Sequence, residues 1–192
     1  MAENDIFRER GRSLEEEYFR KRDRELIEKM RLAAEAERNR EELAKKSGLS
    51  DPALLEELRQ LGFTPETITL LPLVPVLRMA WAEGGITSAE RDLIVRLARS
   101  RGIVEGSEAD RQLSAWMTRQ PDESVFARAG RLIRAMLDAR APETSDLSAD
   151  HLVEYCEQIA SASGGIFGIG RISAEEKKLL ASIADDLRSR QS

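Results

Sequence analysis

The chain has 192 residues, 41% of them hydrophobic, and a formal net charge of -5, which suits one globular core of about 140 residues plus an extended arm. Basic residues alternate with acids instead of gathering on one face, which argues against nucleic-acid binding, because phosphate contacts need an unbalanced positive surface. A run of about eighteen apolar residues and a charged-then-apolar opening are both missing, so a cytoplasmic location is expected, and the single cysteine, Cys156, excludes an intrachain disulfide and Cys-x-x-Cys chemistry.

The first element is an arm. Of residues 1–47, 26 are Asp, Glu, Lys or Arg, a composition that by itself predicts a solvated segment. Residues 7–30, FRERGRSLEEEYFRKRDRELIEKM, nevertheless carry Phe7, Leu14, Tyr18 and Phe19. Wound at about 100° per residue, Phe7, Leu14 and Tyr18 fall on one stripe and Phe19, Leu26 and Met30 on another, roughly a quarter-turn or more away. A face that shifts along the helix fits insertion into a cleft between subunits better than a helix lying on its own domain.

The order Arg10, Glu15-Glu16, Tyr18-Phe19-Arg20, Arg24-Glu25 and Leu26 closely resembles the inhibitory stretch of the mitochondrial ATPase inhibitor protein and its bacterial relatives, over residues 7–31. In that family a long helix enters a catalytic interface of the F-type ATP synthase head and blocks rotation in the hydrolytic direction. The resemblance implies that Tyr18 and Phe19 are apolar anchors, that Glu15, Glu16 and Arg20 make charged contacts, and that Arg10, Arg24 and Glu25 make outer ones. It also implies association with the membrane-bound ATP synthase. Gly11 stands where the family commonly has an acid, and its histidine-rich pH switch has no counterpart, since the one histidine is His151.

Beyond the arm, helix punctuation dominates and no strand alternation appears, so the expected fold is all-α. Gly48 should close the long helix. Asp51-Pro52 is an N-cap followed by proline at the first helical position, opening a short helix that Gly62 stops. Residues 48–64 therefore read as a short connecting helix and linker. Thr64-Pro65 repeats the start signal, and Pro72 and Pro75 predict a break or restart before a buried helix runs to Trp81. Ser107, Asp122 and Ser148 are positioned to cap three further core helices, with Trp81 and Trp116 as large core contributors and His151 at the surface. Pro142 and the polar stretch after it read as the longest loop.

Two segments repeat. Glu83-Gly84-Gly85-Ile86-Thr87 with Glu90 matches Gly164-Gly165, a short insertion, and Ile172-Ser173 with Glu176. In each helix–GG–helix unit a hydroxyl residue stands three before a glutamate, the reciprocal capping box, and an isoleucine precedes it as a staple. This repeat resembles the TerB-like all-helical domain, named for tellurite-resistance proteins, in residues 79–90, with the likeness extending over residues 65–192. Some members of that family bind a metal through acids of both repeats. The first copy keeps Glu83 and Glu90, but the second offers Ser163 where an acid is needed, too few oxygens for a hard divalent ion. No metal and no cofactor are therefore expected.

The insertion Ile166-Phe167-Gly168-Ile169-Gly170-Arg171 lacks a preceding strand and a Gly-Lys-Ser/Thr ending, so it is not a phosphate loop; Phe167 and Ile169 fit better as plugs of a groove. Arg128, Arg131, Arg134 and Arg140 gather as a candidate anion site. Catalysis finds no nucleophile with a base beside it, so a non-enzyme is expected. The leading functional expectation is an inhibitor of the F-type head. The alternative is a TerB-like stress-response or scaffold protein whose arm links or coils, with a homodimer as its partner.

Overall fold

The computed structural model describes residues 2–141, 144, 146–162 and 172–188, with side chains from residue 18 onward. The fold is all-α. In chain order the elements are α1 (Ala2–Ser47), α2 (Pro52–Gln60), a 3-10 turn (Ile68–Leu73), α3 (Val74–Ala80), α4 (Ser88–Ser100), α5 (Glu108–Thr118), α6 (Glu123–Asp138), α7 (Ala149–Ala162) and α8 (Ala174–Arg188). Contacts divide the chain into two units, Met1–Glu41 and Glu42–Ser192.

The first unit is helix alone. Charged side chains at three-residue spacing support it locally, as in the Arg31–Glu28 and Arg40–Glu37 pairs at 2.9 and 2.7 Å. Such exposed pairs contribute only about 0.3–0.5 kcal/mol each.

The second unit is a bundle organised around α3. Every α3 residue except Arg78 is buried, because LLPLVPVLRMA is apolar nearly all round and must be covered on all sides. Helices α4, α6, α7 and α8 supply that cover. Pro72 lies within the 3-10 turn and Pro75 in the first turn of α3, which is the expected break and restart: a proline has no N–H to give to the helical ladder.

Caps stand where the hydroxyl and carboxylate residues predict them. Asp51 accepts from the Ala53 N–H at 2.8 Å, Ser107 from Asp110 at 3.1 Å, Asp122 from Ser124 at 2.8 Å and Ser148 from His151 at 3.2 Å. Both capping boxes form. The Thr87 N–H donates to Glu90 Oε2 at 2.7 Å while Thr87 Oγ1 accepts from the Glu90 N–H, and the Ser173 N–H donates to Glu176 Oε2 at 2.7 Å while Ser173 Oγ accepts from the Glu176 N–H. Each glutamate is only 3% exposed, so its carboxylate is held by backbone donors and the positive end of its helix.

Three expectations differ from the structure. The compact unit begins at Glu42, ahead of the expected arm boundary at 47, and residues 48–64, which hold the expected short helix as α2, contribute to the core instead of linking two parts. Leu43, Leu49, Leu55, Leu58 and Phe63 are all buried, since Leu55 and Leu58 share a face of α2 and the end of α1 turns its last apolar residue inward. No helix starts at Pro65; the buried Thr67 hydroxyl accepts the Thr64 N–H at 2.9 Å and holds a turn there instead. The loop after Ala141, where it is described, buries Thr144, whose hydroxyl reaches the Met136 and Ala141 carbonyls.

Trp81 and Trp116 are half-buried at the core edge. The Trp81 indole N–H donates to the Trp116 carbonyl at 3.0 Å, and Phe63 meets Trp116 edge-on at a centroid distance of 5.8 Å. Cys156 is fully buried, and burial, with Glu157 adding, pushes its thiol up to about 12. Below that pH it carries no thiolate for reaction. In the intact protein a thiol-alkylating reagent at pH 8 should therefore label Cys156 at the rate of bundle opening, and adding denaturant through the unfolding midpoint should make labelling complete; rapid labelling of native protein would contradict this burial. Because the folded thiol is harder to ionise than the unfolded one, its contribution to stability is full below about pH 9 and is lost as pH rises from there toward 12.

Candidate functional site

The arm is the candidate site, and the structure places its described residues on one uninterrupted helix. Tyr18, Phe19 and Leu26 are 56%, 61% and 56% exposed. The two aromatic rings stack edge to face with centroids 5.9 Å apart, and Arg22 donates to the Tyr18 hydroxyl at 2.9 Å. Arg24 Nε donates to the Arg20 carbonyl at 3.2 Å, and Glu25 is exposed. The Arg10, Glu15 and Glu16 side chains, with Phe7 and Leu14, lie outside the described residues, although their backbone is helical.

Beside the expected Leu26 and Met30, Ile27 and Leu32 are also 65% and 54% exposed. The signal for Ile27 is in the spacing: Phe19, Leu26, Ile27 and Met30 stand at i, i+7, i+8 and i+11, one helical face, whereas Leu32 falls off that face. Exposed large apolar side chains in such a row mark an interaction surface more than scattered ones do.

Elsewhere, the arginine cluster on α6 is satisfied within the chain. Arg131 and Arg128 approach Glu57 at 2.5 and 3.8 Å, and Glu57 is mostly buried. Arg134 donates to the Leu187 carbonyl and pairs with Asp138 at 3.3 Å. Glu57, Arg131, Arg134 and Asp138, with Asp51 and Asp186, border a cleft of about 790 Å³ between α2, α6 and α8. Its lining has four carboxylates against two arginines, which argues against the expected anion site at Arg128, Arg131 and Arg134, whose guanidinium groups already meet carboxylates or a carbonyl of this chain; Arg140, the fourth arginine of that expectation, lies past the end of α6 and is exposed.

Of the two weak metal candidates, Glu83 is exposed in its turn and Glu90 is occupied by its cap. Among the described residues no three His, Cys, Asp or Glu side chains are grouped to hold a metal ion. Ser163, both glycines of the second repeat and the insertion 166–171 lie outside the described residues. No helix among the described residues is long and apolar enough to cross a membrane.

No family model, curated protein or solved structure matches this chain. The functional reading rests on the residues themselves.

Proposed function

We propose that this protein is a regulatory inhibitor whose arm inserts into a catalytic interface of the F-type ATP synthase head and blocks ATP hydrolysis, and that it is not an enzyme. The observation that carries the reading is the exposure of Tyr18, Phe19 and Leu26 on a continuous helix, at the positions where the resemblance puts the contacts. More than half of each side chain remains in water, so binding energy is available from their burial in a partner, at about 25 cal/mol per Å² of apolar surface.

The charged residues around them, Arg10, Glu15, Glu16, Arg20, Arg24 and Glu25, would set orientation and on-rate more than affinity. The bundle, in this reading a TerB-like domain, positions the arm or relays a signal to it. A pre-formed helix has less ordering entropy to lose on insertion than a coil, although an isolated helix rich in charge is only marginally stable in water.

The test is ATP hydrolysis by a purified bacterial F-type head titrated with the full-length chain and with residues 42–192. Inhibition by the full-length chain alone supports the proposal. Equal inhibition by both, or by neither, rejects it.

A further inference from the structure

The arm carries a charge pattern of its own. Over residues 19–34, Phe19, Leu26, Ile27 and Met30 with Ala33 and Ala34 fall within about 120° of arc, forming a face roughly 22 Å long. Its four large side chains are 56–65% exposed. Both edges are basic: Arg24 and Arg31, the latter paired with Glu28 across an exposed 2.9 Å contact, border the Ile27 side, and Arg22 and Lys29 border the Leu26 side. In the middle, one turn from Phe19 and one from Ile27, stands the exposed carboxylate of Asp23.

Three kinds of surface could cover such a face. A second copy of the arm fits poorly, because with both edges basic either a parallel or an antiparallel pairing brings cation against cation. Parallel pairing also sets Asp23 against Asp23, and antiparallel pairing about the centre of the face sets it beside Met30. An anionic bilayer suits the basic edges, but it would draw the Asp23 carboxylate into hydrocarbon without a partner. A protein groove can answer every part of the pattern at once.

We infer that the arm is read by a protein groove with an apolar floor, acidic rims and one lysine or arginine in the floor that meets Asp23. Asp23 fixes the register of the helix in that groove: a slide by one turn withdraws the carboxylate from its cation and leaves both charges unpaired in an apolar contact. This assignment rests on the inhibitor reading and adds to it the chemistry of the receiving surface.

The closing experiment titrates purified F-type head with full-length wild type, Asp23→Asn and Asp23→Glu. Wild type should inhibit, Asp23→Asn should require about tenfold or more protein for the same inhibition, and Asp23→Glu should recover most of the loss. Inhibition by wild type with an unchanged Asp23→Asn overturns the register role and leaves the inhibitor reading standing. No inhibition by wild type removes the inhibitor reading and this assignment together. Two parallel measurements on the full-length chain guard against the other surfaces. A dimer in sedimentation equilibrium that Phe19→Ala dissociates would assign the face to a second copy, and tighter binding of Asp23→Asn than wild type to phosphatidylserine vesicles would assign it to a bilayer; either result overturns the inference.

Discussion

Replacing Tyr18 and Phe19 together by alanine should raise the concentration needed to inhibit an F-type head by about a hundredfold or more, while the bundle unfolds at an unchanged temperature. The magnitude follows from the role proposed for them. An aromatic anchor fully desolvated in an interface is worth about 2 kcal/mol or more on truncation, and two of them exceed the 2.8 kcal/mol that corresponds to about a hundredfold in affinity. The silence of the bundle follows from exposure: Tyr18 and Phe19 are 56% and 61% exposed, and substitutions at such positions change stability by less than about 0.5 kcal/mol. Alanine also has a higher helix propensity than either aromatic, so α1 is not weakened locally. Hydrolysis assays read the first effect and calorimetry the second. A double variant that inhibits like wild type would remove these two residues as anchors, and one that lowers the bundle's unfolding temperature would show that the aromatics serve the fold.

The second large effect is on stability. Gly48→Ala should destabilise the bundle by about 2–4 kcal/mol, measured by urea unfolding at an unchanged denaturant slope. Two costs combine. Gly48 has φ +67° where α1 ends, a conformation that costs a residue with a Cβ about 1–2 kcal/mol. The added Cβ would also lie 2.9 Å from Ala141 Cα, and a backbone atom of a fully buried residue cannot step aside cheaply. Gly62 separates the two terms, having φ +84° with nothing within 4 Å of an added Cβ. Gly62→Ala should therefore lose only about 1 kcal/mol. If both variants lose the same amount, the contact with Ala141 contributes nothing and the backbone term alone explains Gly48.

Much of the fold is legible because helix ends are written locally. Asp51, Thr87, Ser107, Asp122, Ser148 and Ser173 each satisfy a backbone N–H two or three residues ahead, an interaction that needs no knowledge of the rest of the chain. The buried stripes are legible for a similar reason: Leu113 and Met117, or Val125, Ala129, Leu132 and Met136, repeat at helical spacing and are all buried.

Other features escape because they are settled by distant neighbours. The α6 arginines form a basic row in sequence, yet Glu57, some 70 residues away, and the end of α8 supply their partners. Thr64-Pro65 has the form of a helix start, but a buried Thr67 hydroxyl diverts the backbone into a turn. The candidate site was partly legible. Tyr18, Phe19 and Leu26 stand out from their charged surroundings and Ile27 follows from helical spacing, whereas Asp23 gains meaning only once α1 is known to be continuous and the face around it exposed.

By itself, then, the sequence determined that this protein is helical, where most of its bundle helices start, and which arm residues have the chemistry to engage a partner, because capping, proline breaks and 3.6-residue periodicity act over a few residues. Only the tertiary structure decided that the compact unit starts at Glu42, that Glu57 pairs with Arg128 and Arg131, and that Leu55, Leu58 and Phe63 belong to the core. Burial and long-range ion pairing depend on which elements meet in space, and that is set by the sum of many weak contacts across the whole chain rather than by any local pattern.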